Sequence, residues 1–201
     1  MTMILERWRL FWILAVLIST AVCLGLPAAD LRSARGTESV ILHTVLCALP
    51  VFVLAFTASS LAALRHNRGT RWLLANRRYI GLAFAFGMAW HFAFVAYYFV
   101  SFGNPLSARD LSLDLIGLCV LIAMTLTSFR RFARRLSLVN WRRLHKAGIY
   151  TLWLLPTFFY LDDLREHRDV ASIGMLTVLL AAGALRAIAW MRRTVPVKQL
   201  T

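Results

Sequence analysis

With 201 residues, 60% of them hydrophobic, and a mean hydropathy of +0.66, the chain is far more apolar than a soluble domain of its size. Its 23 Lys and Arg against 9 Asp and Glu give a net charge of +14; a nucleic-acid binder can show that charge, but not with this much Leu, Ala and Phe. Apolar blocks separated by short basic clusters predict instead an all-α, polytopic membrane protein, with the lipid bilayer as its surroundings and no nucleic-acid partner.

A helix needs about 20 residues to cross the hydrocarbon core, and six segments approach that length. The first runs from about Leu10 to Leu26 and follows Arg7 and Arg9. Leu26-Pro27-Ala28-Ala29 loosely resembles a cleavage site, so a removable signal is the competing reading. A retained helix is expected, because removing it puts the positive loops on the wrong side of the membrane. The second segment spans about 40–64 and contains Pro50. A basic stretch from Arg65 to Arg78 follows, holding Arg65, Arg68, Arg71, Arg77 and Arg78.

The third segment, about 79–100, is aromatic throughout and is broken by Ser101-Phe102-Gly103-Asn104-Pro105. The fourth covers about 111–129 and leads into Arg130, Arg131, Arg134 and Arg135. Trp141-Arg142-Arg143 prefaces the fifth, about 144–161. A near-neutral loop, Asp162 to Asp169, separates it from the sixth, about 171–191, which ends at Arg192-Arg193. Basic and near-neutral loops alternate. Positive charge accumulates on the cytoplasmic side, so both termini are expected in the cytoplasm, with six spans in a bacterial inner membrane. The whole chain reads as one domain without a convincing internal repeat.

Cys23, Cys47 and Cys119 sit singly in apolar runs, as small apolar residues do, and predict neither a disulfide framework nor a zinc site. No phosphate-cradling glycine loop or metalloprotease motif appears. An ionisable residue inside a span is a functional candidate by default, and the five histidines differ in predicted depth. His66 and His167 fall in loops. His91 falls about 18 Å inside the third segment, among Trp90, Phe92, Phe94, Tyr97 and Tyr98. A hydrogen bond to a neighbouring helix competes there with a haem or metal ligand. His145 falls at the cytoplasmic mouth of the fifth segment and His43 in the outer turns of the second, where structural roles are the leading expectation. Imidazoles from separate helices facing one cavity suit a b-type haem.

Two short motifs resemble a known family. Arg77-Arg78-Tyr79-Ile80-Gly81-Leu82 with Trp90-His91 and Tyr97, and Trp141-Arg142-Arg143-Leu144-His145 with Tyr150 and Pro156, resemble the ferric-reductase-like transmembrane domains. Within that family they are most similar to the MsrQ branch, haem-binding membrane subunits of bacterial periplasmic methionine sulfoxide reductase systems. NADPH oxidases and STEAP reductases share the fold. The resemblance implies haem b, with His91 and His145 as metal ligands, and electron transfer from a cytoplasmic flavin (FMN) or quinol to an outer-face acceptor, including a periplasmic redox partner. Arg77, Arg78, Arg142 and Arg143 are then candidates for haem propionates or a flavin phosphate; otherwise they mark the cytoplasmic face.

The family carries a second histidine on the fifth helix where this chain has Phe158. The third and fifth helices run in the same direction, so His91 and His145 should differ in depth by roughly 15 Å, too far for one planar haem. His43 enters within about 10 Å of the expected depth of His91. At most one haem is therefore expected, on His91 with His43, with a shifted His145, or with no second side chain. The alternative function is a degenerate, haem-free member of the fold that serves as a membrane assembly or interaction subunit. A transporter is disfavoured, since no span carries a carboxylate at mid-depth, Asp114 lying near the outer end of the fourth, and no pair of broken helices marks a midplane site.

Overall fold

The computed structural model describes residues 7–103, 108–166 and 170–194. All regular structure among them is helical: α1 (Arg7–Gly25), α2 (Ala34–Leu64), α3 (Arg68–Phe102), α4 (Ala108–Thr127), the short α5 (Arg130–Ala133), α6 (Leu138–Glu166) and α7 (Val170–Thr194), with a 3-10 turn at Leu26–Ala28. Four segments are long and apolar enough to cross a membrane: Arg7–Ala28, Ala34–Leu64, Arg68–Phe102 and Val170–Arg192. α4 carries a shorter apolar stretch, Leu111–Thr127.

The helices outrun their predicted apolar limits because polar caps, not apolar residues, set their ends. Ser33 caps α2 by accepting from the Gly36 amide at 3.1 Å, so this helix starts six residues ahead of Val40. The largest difference is at α3, which starts at Arg68 rather than Tyr79. Asn67 accepts from the Thr70 amide at 2.8 Å, and the Thr70 hydroxyl accepts from the Asn67 amide at 3.2 Å. This reciprocal cap turns most of the expected basic loop into helix. α3 ends where Gly103 takes φ +79°, a conformation that glycine adopts without steric cost. Asp162 and Asp163, expected in a loop, belong to the last turns of α6; His167 lies outside the described residues.

α2 and α3 pack along most of their lengths, and α1 lies across both. α7 packs on the other side of α2, α6 on α7, and α4 on α6; α4 meets α3 through a smaller contact that closes the ring. Small residues permit the closest approach: a Cβ on Gly87 would lie 3.0 Å from the Ala48 Cβ and 3.2 Å from Ile18. Aromatic side chains fill the ring's centre. Phe52 meets Phe84 with ring centroids 5.0 Å apart, and Phe56 stacks on Trp153 at 5.8 Å. The Trp153 indole N–H then donates to the Leu179 carbonyl of α7 at 2.9 Å.

Gly183 makes room for that indole, since a Cβ there would come within 2.5 Å of Trp153 Cζ2. Gly183→Val should therefore push Trp153 off Leu179 and destabilise the α6–α7 contact by about 1–3 kcal/mol, as overpacking does. A thermal transition in detergent checks this. Gly174→Val, with nothing within 4 Å of the added Cβ, should leave the transition in place.

Candidate functional site

Each of the three histidines singled out within the spans is turned to a different neighbouring helix. His91 on α3 is 7% exposed, and its Nδ1 lies 3.4 Å from the Ile41 carbonyl of α2. A carbonyl only accepts, so Nδ1 carries the proton and Nε2 is the free nitrogen of the neutral ring. His43 on α2 donates from Nε2 to the Ala21 carbonyl of α1 at 3.0 Å. Its ring occupies the notch left by Gly25, where any Cβ would collide with it. His145 on α6 reaches Thr127 Oγ1 of α4 at 3.0 Å. That hydroxyl gives its one proton to the Ala123 carbonyl at 2.7 Å, so its oxygen accepts from the His145 Nε2–H. The Trp141 ring lies tilted against that of His145, centroids 4.3 Å apart, and its indole donates to the Thr127 carbonyl at 3.0 Å, holding the same corner.

These positions do not converge. His91 contacts Ile41, two residues from His43, so the two histidines share a level to within about 3 Å. The His43 ring, however, faces α1. His145 lies at the level of Arg77, within range of its charge; Arg77 and His91 are 14 residues apart on α3, roughly 21 Å at helical rise. Among the described residues no group of three or more His, Cys, Asp or Glu could hold a metal ion.

Phe158 is 54% exposed on α6. The inward face of that helix carries Ile149, Trp153 and Tyr160, so a side chain at 158 points out of the bundle, not toward His91 as the family pattern leads one to expect. An apolar cleft of about 690 Å³ lies between α1, α3 and α4, lined by Phe11, Phe86, Ala89, Ala93 and Ile122 among others. Ala89 and Ala93 lie on the face of α3 opposite His91. The donor set thus does not fit a haem held by two histidines. Each ring keeps one nitrogen outside these bonds, Nε2 on His91 and Nδ1 on His43 and His145.

The arginines divide. Arg142 and Arg143 are exposed at the start of α6, and Arg78 is exposed with its guanidinium 5.6 Å from the Tyr79 ring. Arg77 alone of the four turns inward: half-buried, it donates from Nε to the Ala55 carbonyl of α2 at 3.0 Å. The residue that sequence reasoning overlooked is Arg186. It stands inside α7, donates to the Phe56 carbonyl at 2.7 Å, and lies 4.5 Å from the Phe56 ring centre and 4.8 Å from that of Tyr150. A lone charge in the run Leu179 to Trp190 was the available signal.

If His145 and Thr127 fasten α6 to α4, a double-mutant cycle with His145→Ala and Thr127→Val should show a coupling of about 0.5–1.5 kcal/mol in thermal or denaturant unfolding. Purely additive losses would show that the pair does not interact. No protein-family model, curated protein or solved structure matches this chain.

Proposed function

We propose that the chain is a haem-free membrane subunit of the ferric-reductase-like type, which acts by assembly with or docking onto other components rather than by carrying electrons. One observation carries this reading: His43, His91 and His145, the imidazoles a haem would need, each hydrogen-bond to a different neighbouring helix. Inside a bilayer such bonds serve helix packing directly. The outward position of Phe158 supports it, because the second ligand on that helix is both absent and misdirected. A second reading, a haem b protein with a single haem on His91 that passes electrons from a cytoplasmic FMN or quinol to an outer-face acceptor, is favoured by that residue's burial and its free Nε2. A carbonyl partner on the other ring nitrogen is the usual support of a metal-bound histidine.

The six long helices all span the inner membrane in this proposal, with both termini in the cytoplasm. Arg65, Arg68, Arg71, Arg130, Arg131, Arg134 and Arg135 gather where α2, α3, α4 and α6 meet the cytoplasmic face, while Asp30, Glu38, Asp162 and Asp163 gather at the opposite end. α6 includes charged turns at both ends, and its central stretch 144–161 covers roughly 27 Å.

Protein purified from haem-replete cells should give no b-type band in a reduced-minus-oxidised spectrum. A b-type band that His91→Ala removes would overturn the haem-free reading and establish the second. Reporter fusions after Arg71, Arg135 and Lys198 should report cytoplasm, and fusions near Arg35, Gly103 and Arg165 the outside. A cytoplasmic signal at Gly103 would exclude six spans.

A further inference from the structure

Two guanidinium groups from different helices converge on one turn of α2. Arg77 of α3 donates to the Ala55 carbonyl and Arg186 of α7 to the next carbonyl, that of Phe56. Each group is within electrostatic range of the other, and His145 of α6 lies within range of Arg77. Both arginines are half-buried, with Phe56 and Tyr150 beneath the Arg186 guanidinium. Among the described residues no carboxylate pairs with either of them. Asp30, Glu38, Asp162 and Asp163 all lie at the far end of the bundle.

Two like charges held together in apolar surroundings repel, and carbonyl oxygens supply only partial negative charge to offset them. Each guanidinium has five N–H donors and spends one on α2 in the bonds above, which leaves the others for a ligand. A tetrahedral oxyanion matches that fork geometry, because guanidinium binds phosphate through paired hydrogen bonds. Basic sites between transmembrane helices on the cytoplasmic side suit lipid phosphates.

We propose that Arg77 and Arg186 form a binding site for a phosphate-bearing anion at the basic end of the bundle, between α2, α3 and α7. Its two sources are the headgroup of an anionic phospholipid and a soluble phosphate. The site is independent of whether His91 holds a haem.

The test uses full-length protein in detergent, with phosphatidylglycerol, a diacylglycerol of the same chains, or inorganic phosphate added. Phosphatidylglycerol should raise the thermal transition and remain bound in native mass spectrometry, while diacylglycerol should do neither. A response to phosphatidylglycerol alone assigns the lipid; an equal response to inorganic phosphate assigns the soluble anion. Arg77→Gln and Arg186→Gln should each weaken binding roughly tenfold, as loss of a charge-assisted hydrogen bond does. Exposed Arg131→Gln and Arg135→Gln should leave it unchanged. Arg186→Lys keeps the charge without the fork, so it should fold and bind at intermediate strength. Failure of the wild-type protein to retain phosphatidylglycerol or respond to phosphate overturns the proposal. So does equal retention of diacylglycerol, or an unaltered response in the Arg77→Gln/Arg186→Gln double variant.

Discussion

Main-chain carbonyls of one helix receive side-chain N–H groups from a neighbouring helix around this bundle, and those bonds tie the helices together. Ala21 receives His43, Ile41 receives His91, Ala55 and Phe56 receive Arg77 and Arg186, Thr127 receives Trp141, and Leu179 receives Trp153. In lipid no water competes for these donors, so leaving one unmade costs several kcal/mol of desolvation, whereas apolar side chains gain little by leaving lipid for each other. The polar side chains therefore set which helices adjoin, and the aromatic rings fill the space left between them. Phe56 is the common point: its ring meets Trp153 and Arg186, and its carbonyl anchors the latter.

The same bonds change the meaning of the histidines. A buried imidazole in a span invites a cofactor reading, and residue type alone leaves that choice open. Direction adds what residue type cannot, namely the group each ring bonds. His43 and His91 share a level yet face different helices, so equal depth does not make a shared site. The two ends of the molecule differ as well. The acidic end closes on itself through Tyr98 with Glu38, Ser172 with Asp163, and Arg109 with Asp162 at 2.8 Å. The basic end has no such counter-charges among the described residues.

The helical class and the sequence of apolar segments were legible in the chain, because a run of apolar residues long enough to cross lipid has few other uses. Four of the segments reappear as helices of membrane-crossing length and apolarity. Helix ends were less legible. The Asn67–Thr70 cap lies in a basic cluster that reads as a loop by charge alone, and nothing apolar marks the start of α3. The histidines and Arg77 were visible as candidates, but their partners were not, since helical spacing fixes a residue's face only relative to its own helix. Arg186 stands one to two turns before Arg192 and Arg193, so charge alone does not set it apart from the basic end of the segment; only its bond to Phe56 does.

The bond from Arg186 to Phe56 joins residues 130 positions apart. Contacts between α1, α2 and α3 are local enough to form while synthesis continues, whereas this one waits until α7 has left the ribosome. Until then Phe56 and Trp153 lack their final lid, and the growing bundle keeps an open seam along α2. α7 thus acts as a keystone. The packing of α2 around Phe56 is thus finished by a residue on α7, far along the chain.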